Sequence, residues 1–126
     1  MVSMKPKTTL TDVELEIMQV VWDKGSATVR DVYETVNTRR KIAYTTVMTM
    51  MRVLEQKGHV DKSDEERAYV YRPAKPKKQV IGAMVTDFLN RVFNGSAEPL
   101  LVHLAEEGEL SQENLKQVKR LLRKTK

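Results

Sequence analysis

The side chains best suited to chemistry in this sequence are concentrated between Ala43 and Gly58, in the segment AYTTVMTMMRVLEQKG. A helix drawn through this segment at about 100° per residue has one side made of Thr45, Met48, Thr49, Arg52 and Gln56. Hydroxyl, methyl and guanidinium groups can contact base edges and phosphates. An ordinary surface helix would present the same groups, so this side alone leaves the function open.

The opposite side of the same segment is apolar. Its residues recur at the i, i+3, i+4 and i+7 positions of a helix and are Val47, Met50, Met51 and Leu54. This stripe predicts a helix that packs on a core and turns its polar side to solvent.

Positive charge is concentrated around this helix. The chain has a formal net charge of +5, yet residues 39–78 alone contain eleven Lys and Arg against five Asp and Glu. A polyanion, and nucleic acid in particular, is the natural partner of such a segment. We predict that Arg39, Arg40 and Lys41, directly before the helix, contact phosphates, as does Arg67. A solvated loop without a partner is the alternative.

Composition narrows the class of protein further. The 126 residues suffice for one domain or two small ones, and no cysteine is present to form a disulfide, a thiol nucleophile or a thiolate metal site. No apolar run approaches the roughly 20 residues of a membrane span, which predicts a cytoplasmic protein without a membrane partner. We find no Gly-x-Ser-x-Gly, phosphate-binding loop or histidine cluster, so we expect no enzyme activity, metal or cofactor.

Two helices are predicted before the central segment, and two strands after it. Thr11 and Glu14 form a capping box for the first helix, which should end at Gly25; Thr28 caps a second helix reaching about Asn37. The predicted strands are residues 59–63 and 68–71, with a turn at residues 64–67 between them. Helix, helix, recognition helix and wing is the order of a winged helix-turn-helix.

The composition changes at residues 74–78, and there we place a domain boundary, with a DNA-binding domain at 1–74 and a helical domain at 75–126. The second domain holds three amphipathic helices in about fifty residues, which cannot enclose a core alone. A second copy could close that core, so we predict a homodimer. The predicted dimerisation residues are Ile81, Met84, Val85, Phe88, Leu89, Val92, Leu100, Leu101, Leu104, Leu115, Val118 and Leu122.

Several separate motifs give the chain a family resemblance. They are Glu14-Leu15-Glu16-Ile17-Met18 with Trp22, Ala43-Tyr44-Thr45-Thr46-Val47-Met48-Thr49, Lys57-Gly58, Arg67-Ala68-Tyr69-Val70-Tyr71-Arg72-Pro73 and Phe88-Leu89-Asn90-Arg91-Val92-Phe93-Asn94-Gly95-Ser96. In this order they resemble the penicillinase-repressor (BlaI/MecI/CopY-type) transcriptional regulators, from about Leu10 to Leu122. The resemblance implies a mainly α fold, a winged helix followed by a helical dimerisation module. It also implies a dimer that represses transcription from dyad operators, typically with TACA/TGTA half-sites.

The predicted base-reading residues follow from the helix and from the resemblance together. They are Tyr44, Thr45, Thr46, Met48, Thr49 and Arg52. The family usually has Arg directly before the residue that corresponds to Leu54, whereas here Val53 stands there and Arg52 lies one place earlier. At the wing, Glu66 precedes Arg67 where relatives usually have Gly.

Two further departures concern the inducing signal. Copper-responsive relatives carry Cys-x-Cys motifs near the C-terminus, which this chain lacks. In β-lactam-responsive relatives a membrane sensor protease triggers cleavage at an Asn-Phe bond, and the corresponding pair here is His103-Leu104. These residues are the possible cleavage position, and a sensor protease the possible partner. A winged-helix regulator that senses a small molecule and a protein-interaction module without DNA are the alternative functions.

Overall fold

The computed structural model describes residues 10–65 and 68–124 of the chain. The elements within them are α1 (Asp12–Lys24), α2 (Val29–Val36), α3 (Tyr44–Gln56), β1 (Val60–Glu65), β2 (Ala68–Pro73), α4 (Lys77–Phe93), α5 (Glu98–Glu106) and α6 (Gln112–Lys124). None of these helices combines the length and the apolar character that crossing a membrane requires. The order confirms the predicted winged helix followed by a helical region.

Reciprocal hydrogen bonds define where the first two helices begin. The Glu14 amide donates to Thr11 Oγ1 (3.2 Å) while the Thr11 amide donates to Glu14 Oε1 (3.0 Å), which confirms the predicted capping box. Thr28 and Asp31 exchange the same two bonds at 3.1 and 3.0 Å. The bond from the Thr28 amide to the Asp31 carboxylate makes the start of the second helix a full capping box as well. Gly25 ends α1 with φ at +80°, a conformation that glycine adopts without strain.

The core of the winged helix lies between its three helices and the base of the wing. Each of these elements contributes residues that are almost entirely buried: Ile17, Met18, Val20 and Val21 of α1, Val32 and Val36 of α2, Val47, Met51 and Leu54 of α3, and Val60 and Tyr71 of the wing. Helical spacing within each of the three helices brings its buried residues to one side. The buried apolar residues of each helix therefore fix its rotation about its own axis.

The wing is an antiparallel pair of strands whose register runs from Val60 opposite Pro73 to Glu65 opposite Ala68. The predicted turn at residues 64–67 was too long, because Asp64 and Glu65 continue the ladder of β1. Both faces of a two-stranded ribbon can meet solvent, so an exposed carboxylate such as Asp64 does not end the strand. Residues 66 and 67 lie outside the described residues.

The wing is also joined to the segment between α1 and α2. The Ala27 amide donates to the Tyr71 carbonyl at 2.9 Å, and the Tyr71 amide donates to the Ala27 carbonyl at 2.8 Å. This isolated bridge acts as a short third strand at the base of the wing. Sequence reasoning missed it because one residue carries no periodicity.

Helix α4 begins earlier than the apolar pattern indicated. Its first turn contains Lys77 and Lys78, and the Gln79 and Val80 amides both donate to the Pro76 carbonyl. Proline is tolerated at a helix start, and lysine is a good helix former. The change in composition at residues 74–78 is therefore compatible with a helix that begins at Lys77. Val80 is buried in the core of the winged helix.

The chain divides into two compact units between Met84 and Val85, within α4. In the second unit, α4 ends at Asn94 and Gly95, whose φ angles are +53° and +83°. The Ser111 hydroxyl accepts from the Asn114 amide and the Asn114 side chain accepts from the Ser111 amide, each at 3.0 Å, so Ser111 caps the last helix.

A largely buried ion pair links α1 to the residue that follows α3. Lys57 Nζ lies 2.7 Å from Glu14 Oε1, and Glu14 is only 4% exposed. Burial by itself would raise the pKa of Glu14. Hydrogen bonds from the Lys57 ammonium and the Thr11 amide, together with the Lys57 charge, nevertheless hold that pKa below its ordinary value of 4.5. The ionised carboxylate therefore contributes stability above pH 4.5, and this contribution is lost as the pH falls through the folded-state pKa.

We expect Lys57→Met to lower the free energy of unfolding by about 2 kcal/mol at neutral pH, because it leaves the buried Glu14 carboxylate without its cation. Chemical denaturation at several pH values measures this loss, which should shrink as the pH falls below 4.5 and Glu14 takes up a proton. The matched control is Arg30→Met, which breaks the exposed Arg30–Glu34 pair on α2 and should cost under about 1 kcal/mol. Equal losses of unfolding free energy in the two variants would contradict a stabilising role for the Glu14–Lys57 pair.

Candidate nucleic-acid interface

Helix α3 has the two different sides that its sequence predicted. Val47, Met51 and Leu54 are fully buried, and Met50 is half-buried beside them. The six predicted base-reading residues are all exposed: Tyr44, Thr45, Thr46, Met48, Thr49 and Arg52. The structure thus brings hydroxyls, a thioether, a phenol ring and a guanidinium to one solvent-facing surface. In the described part of the chain Arg52 makes no ion pair, so its guanidinium is available to a ligand.

A loop of three consecutive cations, Arg39, Arg40 and Lys41, lies between α2 and α3, and we call it the basic loop. The Arg39 and Arg40 amides both donate to the Val36 carbonyl, at 2.9 and 3.1 Å, which fixes the loop against the end of α2. The three side chains are exposed and line a cleft of about 530 Å³. The cleft is therefore lined by positive charge, and the residues that carry this charge directly precede α3 in the chain.

Arg40 differs from its two neighbours because it already has an anionic contact. Its Nε lies 3.6 Å from Glu16 Oε1 of α1, and both side chains remain partly exposed. Arg39 and Lys41 make no ion pair with any described residue. A phosphate could therefore bind those two directly, whereas at Arg40 it would compete with a carboxylate.

A groove runs between the start of α2, the first half of α3 and the wing. It has a volume of about 550 Å³ and is lined by Thr28, Val29, Arg30, Tyr44, Met48, Asp64, Ala68 and Tyr69. The Tyr44 ring packs edge-to-face on Tyr33, with centroids 5.4 Å apart, so α2 holds one predicted base-reading residue in place.

Two wing residues in this groove were missed by sequence reasoning. Tyr69 is 51% exposed, and Lys62 Nζ lies 4.4 Å from the centre of its ring; Asp64 is exposed beside it. Alternation along β2 gives no signal for Tyr69, because Tyr69 and Tyr71 are two residues apart and share a face of the strand, yet Tyr71 is buried and Tyr69 is exposed. Arg67, the predicted phosphate contact on the wing, lies outside the described residues.

The sequence pattern of the penicillinase repressor family matches residues 10–124. The chain belongs to the penicillinase repressor family. The penicillinase repressor of Bacillus licheniformis is 28% identical over 123 residues, which span 98% of this chain and 96% of that protein. The transcriptional regulator BlaI of Mycobacterium tuberculosis (strain CDC 1551 / Oshkosh) is 35% identical over 101 residues, 79% of this chain and 73% of that protein.

A solved structure adds a likeness in three dimensions. The solution structure of the DNA-binding domain of the repressor BlaI matches with a TM-score of 0.52 and 30% sequence identity. The match covers 59% of this chain and 90% of that domain. Together these comparisons confirm the family resemblance and the winged-helix fold.

In this penicillinase repressor family member the predicted dimerisation residues are distributed over two environments. Met84 packs against the core of the first unit, so part of its surface is already covered within one chain. Ile81, Leu89, Leu100 and Leu104 are half-buried. The exposed apolar residues of the second unit are Val85, Phe88, Val92, Leu101, Val102, Leu115, Val118, Leu121 and Leu122. Such a density of exposed apolar side chains is unusual for a small unit that stays alone in water.

The cleavage position that the resemblance suggests lies in the C-terminal half of α5. His103 is exposed and Leu104 is half-buried. The backbone on either side is helical, with the Glu107 amide donating to the His103 carbonyl at 3.0 Å and the Glu109 amide donating to the Leu104 carbonyl at 2.9 Å. The bond between the two residues therefore lies near the end of α5, where backbone hydrogen bonds hold it.

Proposed function

We propose that this protein is a DNA-binding transcriptional repressor that places α3 in the major groove of a dyad operator and acts as a homodimer. The observation that carries the proposal is the exposed polar side of α3, with the basic loop directly before it. Relatives named as repressors and transcriptional regulators, and the likeness to a repressor's DNA-binding domain, support it.

Under this proposal the exposed side of α3 reads base edges. Thr45 and Thr49 offer a hydroxyl for hydrogen bonding and a methyl group for contact with thymine, and Met48 adds a second apolar contact. Arg52 can donate two parallel hydrogen bonds to guanine or reach a phosphate. Tyr44 and Thr46, in the first turn of the helix, would meet the edge of the groove.

The basic loop holds the phosphate backbone under the same proposal. Arg39 and Lys41 bind phosphates directly, and Arg40 exchanges its Glu16 contact for a phosphate. The start of α3 supports these contacts, because Ala43 provides no side-chain cap for the first amides of the helix. Uncapped amides at the positive end of a helix dipole favour an anion.

The homodimer would provide the affinity that one winged helix lacks. A single head contacts few phosphates and few base pairs, whereas a second head on the same dimer binds at a high effective concentration and can raise avidity by about 10²–10⁴-fold. The exposed apolar residues of the second unit are the surface that a second copy would cover. Half-sites would then be spaced by about ten base pairs or a multiple.

Release by a sensor protease is the route that the family resemblance suggests, with His103-Leu104 as the bond. Proteases act on locally opened chain, and here the bond is held in α5 by the helix hydrogen bonds described above. Under our proposal the repressing state has an intact α5, and cleavage would follow only its local unfolding.

We expect Thr49→Ala and Arg40→Ala to weaken DNA binding in different ways. Thr49→Ala should lower affinity for the operator by about tenfold and leave affinity for random duplex unchanged, since it removes a base contact. Arg40→Ala should weaken binding to both duplexes alike and reduce the log–log salt slope by roughly one unit per protomer. Titrations over a range of salt concentrations measure both effects. Arg91→Ala, which removes a cation from the second unit, is the matched control and should change neither quantity.

The Glu16–Arg40 pair yields a separate prediction. Glu16→Gln should tighten binding to operator and random duplex alike by about twofold to fivefold, because phosphate no longer competes with an exposed carboxylate for Arg40. The same substitution should have no effect in an Arg40→Ala background. Glu34→Gln, which breaks the exposed pair on α2, is the control. Weaker binding by Glu16→Gln would show instead that Glu16 orients Arg40 for the phosphate.

The homodimer is tested on α4. Phe88→Asp should convert the protein to a monomer, because dimerisation would bury an unpaired carboxylate. Operator affinity should fall by about 10²-fold or more as avidity is lost. Sedimentation and operator titration measure the two effects, and Thr86→Asp, at an exposed position of the same helix, is the control. A Phe88→Asp protein that stays dimeric would refute this part of the proposal.

A further inference from the structure

Charges in the second unit are separated along the chain into an acidic and a basic segment. Residues 98–113 contain five glutamates and no Lys or Arg, whereas residues 114–126 contain six Lys and Arg and no Asp or Glu. The described members of both groups are exposed. The two charges nearly cancel over the unit, so their separation, and not a net charge, is the feature that needs an explanation.

The described members of these two segments form no ion pairs with other described residues. Among the described residues none of the nine makes an ion pair: Glu98, Glu106, Glu107, Glu109, Glu113, Lys116, Lys119, Arg120 and Arg123. By contrast, Arg91 and Asp87 of α4 are paired at 2.9 Å in the same unit. The acidic and basic segments therefore remain available to a partner outside the chain.

Helix α6 carries its basic residues next to an apolar stripe. Lys116, Lys119, Arg120 and Arg123 recur at i, i+3, i+4 and i+7 and form one side of the helix. Leu115, Val118 and Leu122 form the adjacent stripe, and each is more than 40% exposed. The surface that α6 presents is thus apolar with a positive border.

Helix α5 carries the complementary arrangement. Glu98, Val102 and Glu106 are spaced four residues apart on one side of the helix, and Leu101 lies beside them. Leu101 and Val102 are both nearly half exposed. The surface that α5 presents is apolar with a negative border.

We infer that in the homodimer the acidic surface of α5 in one copy lies against the basic surface of α6 in the other. The inference rests on the proposed homodimer and adds what orients it. In a two-fold symmetric dimer the contact occurs twice, since each copy offers both surfaces. Apolar burial supplies attraction without direction, and the charged borders select the arrangement in which unlike charges meet. Duplex DNA fits the basic border less well, because it would leave the apolar stripe of α6 uncovered.

Charge reversal on each surface tests the inference in the full-length chain. The first variant carries Glu98→Lys with Glu106→Lys, and the second carries Lys116→Glu with Lys119→Glu. Each should form a homodimer with a dissociation constant raised by about tenfold or more, because like charges now meet at both contacts. An equimolar mixture should form a heterodimer within about threefold of the wild-type affinity, because unlike charges meet again. Sedimentation measures the homodimers, and native mass spectrometry with one variant labelled with ¹⁵N identifies the heterodimer.

Controls separate this inference from the proposed homodimer itself. Glu34→Lys and Arg30→Glu, single reversals on α2, should leave the dimer unchanged. The wild-type dimer should also weaken as salt is raised, since salt screens exposed charges. Three results would each overturn the inference. The reversed variants could form homodimers as tight as those of the wild type, or their mixture could give no heterodimer. The variant with Lys116→Glu and Lys119→Glu could also stay dimeric and lose affinity for random duplex. If Phe88→Asp is nevertheless monomeric, the homodimer survives such a result; a monomeric wild-type protein would refute both.

Discussion

Burial of one side of α3 determines which of its residues can meet DNA. Val47, Met51 and Leu54 are completely enclosed by the other two helices and the wing, so α3 cannot rotate about its axis without exposing part of that core. With the rotation fixed, Thr45, Thr49 and Arg52 have to face solvent. The stability of the winged helix and the identity of the proposed recognition surface therefore depend on the same apolar contacts.

Most of the fold could be predicted from the sequence, because its strongest signals are local. Capping residues at Thr11 and Thr28, glycines after the first and third helices, and apolar residues at helical spacing fix the helix bounds within a few residues of those observed. The exposed side of α3 was predicted for the same reason, since helical geometry converts spacing directly into direction. The start of α4 was the exception, because a run of lysines after proline is as compatible with a helix as with a linker.

The features that sequence reasoning missed depend on residues far apart in the chain. Glu14 and Lys57 are 43 positions apart, and nothing in the neighbourhood of either residue indicates the ion pair between them. The pairing of Ala27 with Tyr71 and the contact of Arg40 with Glu16 are of the same kind. Such contacts form only when the elements pack against one another. A single sequence therefore shows which polar groups are present, but not which of them pair.

The bridge between Ala27 and Tyr71 has a consequence for how recognition can diverge among proteins of this fold. It fastens the base of the wing through backbone hydrogen bonds and one buried ring, while the outer residues of both strands, such as Asp64 and Tyr69, contribute nothing to the core. Substitutions there change the chemistry of the groove beside α3 at little cost in folding free energy. The outer wing is therefore a region in which new operator preferences can evolve while the recognition helix itself stays the same.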